Sequence, residues 1–169
     1  MKKKMVIKIL DTDNIHSKYL TNFKKTILDS YIYIREIENF KINEENKIKI
    51  LKEIDNITNK YNKKSNILIY LINNNIMGYL WYIKEEINKY DNLGFCNDKK
   101  EYVWIHSIFV DPSVRKEGIG KSLYMKLKEI CINENIEKIY SNINPLESNK
   151  EIFYNKIGME SNLIYSINE

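Results

Sequence analysis

The stretch from residue 102 to residue 134 limits what this chain can fold into more than any other part of it. Residues 102–110 carry the β-branched and aromatic side chains of a strand, and Asp111-Pro112 ends it. Gly118 and Gly120 then lead into an amphipathic helix to about residue 134, whose apolar face is Ile119, Leu123, Leu127 and Ile130. The sequence therefore predicts a strand that turns through glycines directly into a helix.

Elements on either side extend this unit. Residues 5–10 read as a first strand, and Asp13 can cap a helix with Ile15, Tyr19, Phe23 and Ile27 on one face. Residues 31–42 have mixed periodicity, whereas Ile50, Leu51, Ile54 and Ile57 mark a second helix over 44–61. Strands at 66–72 and 76–83, joined by asparagines, form a hairpin, and Gly78 lies inside its second strand. A polar excursion over 85–100 precedes strand 102–110, and long loops of this kind often carry function. After the central helix come a strand at 138–143, a short helix from Ser148 or Asn149 to Ile157 closed by Gly158, and a strand at 163–167. This order predicts one domain over 1–169, an α/β fold with a mixed central sheet flanked by helices.

The segment Ile108-Phe109-Val110-Asp111-Pro112-Ser113-Val114-Arg115-Lys116-Glu117-Gly118-Ile119-Gly120-Lys121 is where chemistry is expected. A helix N-terminus presents unpaired backbone N–H groups, and glycine lets a backbone approach a phosphate without a Cβ in the way. Only 5 glycines occur in the chain, yet Gly118 and Gly120 stand together beside Arg115. A plain structural turn would need one glycine and no basic residue. A dinucleotide-binding unit fits less well, since it wants GxGxxG after an early strand and an acidic residue at the end of the next.

Composition excludes several classes. With 27 basic and 23 acidic residues interspersed, the net charge of +4 describes a solvated mixed surface rather than a nucleic-acid footprint. Neither a basic helix nor aromatic platforms interleaved with arginine appear. Cys96 and Cys131 stand far apart, so no zinc site or disulfide framework is suggested. No apolar stretch approaches a membrane span, and a cytoplasmic protein is expected. The absence of alanine and glutamine beside abundant Ile, Asn and Lys reflects a genome poor in G and C.

Two motifs carry a resemblance. Arg115-Lys116-Glu117-Gly118-Ile119-Gly120 resembles the Q/RxxGxG/A signature of the GNAT acetyltransferases, and Phe153-Tyr154-Asn155-Lys156-Ile157-Gly158-Met159 resembles their FYxKxGF segment. The resemblance implies a mostly antiparallel sheet whose strands splay apart at an acyl-CoA cleft. It implies acetyl-CoA as acyl donor, an amine as acceptor, no metal, and leaves a homodimer open. Backbone groups of Ile108, Phe109 and Val110 would meet the pantetheine arm, and 116–121 would wrap the pyrophosphate, with Arg115 beside them. Glu117 departs from the pattern, as does Glu147 where the family often has an asparagine, a role Asn149 is expected to take over.

Amide formation from a thioester needs a deprotonated amine, a donor for the oxyanion, and a leaving thiolate. Tyr154 is carried over from the family's tyrosine as the acid that protonates sulfur, against the alternative of an aromatic core residue among 13 tyrosines. His106 is the candidate base, because simple alternation puts Trp104, His106, Ile108 and Val110 on one strand face. A structural histidine with a water relay is the alternative, and His16 reads as a surface residue. The position of His106 resembles a histidine of the arylalkylamine branch, whose partner histidine is Trp104 here. The glutamate of ribosomal-protein N-terminal acetyltransferases corresponds to Asn142. The acceptor stays open among small amines, polyamines, aminoglycosides, protein N-termini and lysines. An acetyl-CoA-binding sensing module with little turnover is the alternative function.

Overall fold

An uninterrupted apolar run such as 67–72 suits a strand covered on both faces, and the computed structural model puts it in the interior of a sheet. Residues 5–11, 17–37, 42–60, 65–86, 101–142 and 148–159 are described. They form β1 (Met5–Asp11), α1 (Ser17–Ile37), α2 (Glu44–Lys60), β2 (Ser65–Ile72), β3 (Asn75–Glu86), β4 (Glu101–Val110), a 3-10 turn (Pro112–Val114), α3 (Ile119–Asn133), β5 (Lys138–Ser141) and α4 (Ser148–Lys156). The expected cap at Asp13, His16, Cys96, Glu147 and the strand at 163–167 lie outside the described residues.

The five strands lie side by side in chain order. Neighbours from β1 to β4 are antiparallel, and β4 pairs with β5 in parallel. The mixed α/β sheet read from the sequence is therefore present. The β2–β3 hairpin turns on Asn73 and Asn74, both at positive φ (51° and 68°), a conformation asparagine tolerates better than most residues.

Each face of the sheet carries its own core. On one, Leu68, Leu80, Tyr82, Val103 and Ile105 pack against Leu123 and Leu127 of α3 and Tyr154 of α4. On the other, Ile67, Ile69, Tyr79, Trp81 and Phe109 meet Phe23 and Ile27 of α1 and Ile54 of α2. Each fully buried large apolar side chain contributes about 1.5–3 kcal/mol. Gly78 in β3 makes room where α3 begins. A Cβ there would stand 3.0 Å from the Phe109 carbonyl oxygen and 3.2 Å from Ile119 Cγ2.

Helix α1 runs through the stretch of mixed periodicity to Ile37. Its inward positions Phe23, Ile27 and Ser30 include a hydroxyl in place of an apolar side chain, which is why the pattern faded there. Ser30 is 3 % exposed but satisfied, donating to the Ile27 carbonyl at 2.7 Å and bonding Tyr79 Oη at 3.0 Å.

Candidate active site at the β4–β5 fork

Strand β4 is bordered by β3 along its length but by β5 along only part of it. The parallel register runs Tyr102↔Lys138, Val103↔Ile139, Trp104↔Tyr140 and Ile105↔Ser141, and stops there, while β4 continues to Val110. Among the described residues the pairing of β4 with β5 thus ends at Ile105, and that point is the fork. Beyond the fork, backbone direction follows from the register with β3. Asp111 N donates to the Met77 carbonyl at 2.9 Å, so 77 and 111 form a hydrogen-bonded pair. Antiparallel pairs alternate. Phe109 therefore bonds across to Tyr79, whereas Ile108 and Val110, opposite Leu80 and Gly78, turn their N–H and C=O groups away from β3 towards the open edge. Ile108 and Val110 are thus the residues whose backbones face the fork. Phe109, by contrast, bonds to β3 through its backbone, and its ring is buried against Tyr33 and Tyr79 on the other face.

A bulge sits at the fork itself. Trp81 pairs with Ser107 and Tyr82 with Ile105, leaving His106 as an extra residue. A bulge reverses the alternation that follows it. Val103 and Ile105, then Ile108 and Val110, face α3, while His106, Ser107 and Phe109 share the α1/α2 face. This overturns the expected grouping of His106 with Ile108 and Val110. The exposed His106 ring lies edge-on to Trp81, 4.7 Å between centroids. Behind it, Ser107 Oγ bonds Tyr79 Oη at 3.0 Å. Since Ser30 gives its proton to Ile27 and Tyr79 must give its own to Ser30, Ser107 is the donor to Tyr79. Burial pushes the Tyr79 phenol above its usual range, so it stays protonated within this chain.

At the far end of β4 the loop folds as a helix N-terminus. The Asp111 carboxylate accepts from Ser113 N at 2.9 Å and fixes the 3-10 turn. Lys116 (φ 67°) and Gly118 (φ 83°) are both left-handed. Ser122 N makes the first α3 bond, to the Gly118 carbonyl at 2.9 Å, so the N–H groups just ahead of it have no partner within the helix. Lys116, Glu117 and Lys121 are exposed around this end, and Ile119 is buried beneath it. The two glycines serve different needs. Gly118 takes the left-handed turn with open space around it, whereas a Cβ on Gly120 would meet the Phe153 ring at 3.1 Å. Gly120 thus lets α4 pack on α3.

Arg115 turns towards α1. Its Nε donates to the Val110 carbonyl at 2.9 Å, another of its N–H groups bonds Tyr33 Oη, and the guanidinium lies 4.1 Å from the Tyr33 ring centroid. The side chain thus ties the loop to α1 rather than reaching for the loop's outer surface. Tyr33 falls where the sequence showed no clear period, and nothing local signalled its part.

Tyr154 is 2 % exposed, and its hydroxyl lies at the fork, 2.6 Å from Ser141 Oγ. Ser141 in turn reaches the Ile105 carbonyl at 3.3 Å. Tyr154 and His106 thus stand at the same level of the sheet, beside its last β4–β5 pair, on opposite faces. Sequence reading missed Ser141, a single hydroxyl in a short strand. Asn149 lies in α4, its side chain outside the described ones. Gly158 (φ 81°) closes that helix, with Met159 N reaching back to the Tyr154 carbonyl at 3.0 Å.

The family model described as "Acetyltransferase (GNAT) family" matches residues 29–159. The chain belongs to the GNAT acetyltransferases. It is thereby an acyltransferase, as the two motifs implied. No curated protein sequence matches it. Solved structures of similar shape include the aminoglycoside N-acetyltransferase AAC(6')-Iy in complex with CoA, at TM-score 0.69 and 15 % identity, covering 100 % of this chain and 96 % of that one. Another is the aminoglycoside acetyltransferase meta-AAC0020 from an uncultured soil metagenomic sample, in complex with sisomicin, at 0.65 and 16 %, covering 98 % and 95 %. A third, from Clostridium difficile 630, is titled "a possible acetyltransferase", at 0.66 and 20 %, covering 98 % and 95 %. At these identities the likeness is one of GNAT fold. Among the described residues no helix is long and apolar enough to cross a membrane.

Proposed function

We propose that the fork between β4 and β5 holds acetyl-CoA, and that the protein transfers its acetyl group to a primary amine of a small molecule or of a protein or peptide. The observation that carries this is the stretch of β4 beyond Ile105, which among the described residues pairs with β3 alone. Ile108 and the Val110 N–H turn backbone groups to that edge, the Val110 carbonyl being held by Arg115, and the edge runs on into the N-terminus of α3. An amide-bearing pantetheine arm suits the first, and a pyrophosphate suits the second. Backbone N–H groups of 116–121, with the ammonium groups of Lys116 and Lys121 around them, supply the anion site. Arg115 acts behind the loop by fixing its shape.

Catalysis follows from the placement of two side chains. Tyr154 lies on the α3/α4 face of the fork and gives a proton to the departing sulfur. His106, exposed on the α1/α2 face, takes a proton from the amine. A β4 backbone N–H beside the bulge serves the oxyanion. The Ser107–Tyr79–Ser30 chain holds the bulge, and hence His106, without entering the reaction.

The test is release of free thiol from acetyl-CoA with a panel of amines: spermidine, kanamycin, a lysine peptide and a peptide with a free amino terminus. Turnover with at least one, lost in Tyr154→Phe by about 10²- to 10⁴-fold with binding retained, is the expected result. His106→Gln should lower turnover with acetyl-CoA binding retained. Tight acetyl-CoA binding with no release on any amine would instead favour a sensing module.

A further inference from the structure

Tyr154 is buried, and a buried phenol needs a partner for its hydroxyl in every protonation state it visits. Within the described residues Ser141 supplies one at 2.6 Å. A serine hydroxyl has one proton to give, and Ser141 has three acceptors in reach. Two are carbonyls at long range, Ile105 O at 3.3 Å and Asn142 O at 3.4 Å, against a usual O–H···O distance of about 2.7–2.8 Å. The third is the Tyr154 oxygen itself. When Ser141 donates to a carbonyl, Tyr154 must donate to Ser141, and its proton is occupied. When the serine hydroxyl rotates to donate to Tyr154, the phenol proton is released for another acceptor. The rotation gives up only a long, weak bond, and it happens where β4 and β5 part.

We infer that Ser141 is a positioning residue for acetyl transfer, one that switches from accepting the Tyr154 proton to donating to the Tyr154 oxygen as the thiolate leaves. This rests on the reading of Tyr154 as the acid. As the tetrahedral adduct collapses, the carbon–sulfur bond breaks with its electron pair going to sulfur. The Tyr154 O–H bond breaks and an S–H bond forms. The phenolate left behind receives the Ser141 O–H as a hydrogen bond. The proton given up by the amine returns to the phenolate through His106 and solvent, and Ser141 swings back to its carbonyl. Amine and thioester have become amide and thiol, with both hydroxyls restored.

A double-mutant cycle on Ser141 and Tyr154 tests this, using thiol release from acetyl-CoA with the fastest amine of the panel, or with water as acceptor if none is faster. Ser141→Ala should lower kcat about 10- to 100-fold, the value of a hydrogen bond to a charged group, while the acetyl-CoA Kd stays unchanged. In the Tyr154→Phe background the same change should have no further effect, because the group it serves is gone. Ser141→Thr keeps a hydroxyl and should restore most of the rate. A full rate in Ser141→Ala beside a slow Tyr154→Phe overturns the inference and leaves the acid assignment standing. An equal loss in both backgrounds, with a lower Tm, assigns Ser141 to structure alone and overturns it too. An undiminished rate in Tyr154→Phe, or no release above the uncatalysed rate with every acceptor, removes the acid assignment and this inference together.

Discussion

The two faces of β4 organise the same few residues by opposite means. On the α3/α4 face, backbone shape does the positioning: Gly78 admits the start of α3, Gly118 turns the chain, Gly120 admits Phe153, and Ile108 and Val110 present main-chain groups. On the α1/α2 face, side-chain hydrogen bonds do it. Ser107, Tyr79 and Ser30 form one chain, and Arg115 joins Val110 to Tyr33. The lesson is that a site of this kind has a steric half, which fails abruptly when a side chain is added, and a polar half, which should weaken by degrees.

The sharpest break is expected at Gly120. In Gly120→Asp both a Cβ and a charge are driven against Phe153, overpacking the α3/α4 contact and burying an unpaired carboxylate. A loss of roughly 3 kcal/mol or more is expected in urea unfolding. A variant of unchanged stability would show that the α3/α4 contact does not need the space that Gly120 leaves.

Arg115 tests the polar half. Arg115→Ala should cost about 2 kcal/mol, from the charge-assisted bonds to Val110 and Tyr33 and the stacking on Tyr33. Arg115→Lys should recover little of this, since an ammonium reproduces neither the fork of donors nor the stacking. Full recovery by lysine would mean that the charge, not the geometry, is what the loop needs. Smaller again, Ser107→Ala should cost about 1 kcal/mol, because Tyr79 keeps its bond to Ser30 and loses only the one it accepts. Calorimetric melting of the three variants ranks them.

A pH dependence away from the site is expected as well. Cys131 lies on the buried face of α3, and burial, with Glu134 nearby, pushes its thiol up to about 11. Thiolate is the disfavoured form in the fold and is accessible in the unfolded chain. The contribution to stability is therefore complete below the ordinary thiol range and drains away as pH rises towards 11. Urea midpoints should fall over that window, and Cys131→Val should flatten the fall. An identical slope in the variant would place the alkaline loss elsewhere.

The steric half was the more legible in sequence. Glycines in a chain with few of them, a proline ending a strand and apolar residues at helical spacing are local signals, and the motifs at 115–120 and 153–159 rest on them. The asparagine hairpin was legible for the same reason. The polar half was not. His106 was grouped with Ile108 and Val110 because alternation is the default for a strand, and a bulge adds one residue without any distinctive side chain. The shift from apolar odd positions, Val103 and Ile105, to apolar even ones, Ile108 and Val110, was the only trace. Tyr33 and Ser141 act across large separations in sequence, where no spacing rule reaches. Arg115 was rightly singled out as unusual, but its partners in space gave it a different task.

Backbone amides report the central claim most directly, because the account places acetyl-CoA against main-chain groups of one strand edge and one helix end. Titrating the 15N-labelled protein with acetyl-CoA should shift the amide resonances of Ile108, Val110 and 118–121 most, with Phe109 and the α1/α2 face moving far less. Saturable binding that instead perturbs the α1/α2 face and leaves the N-terminus of α3 unmoved would contradict the account, as would no binding at all.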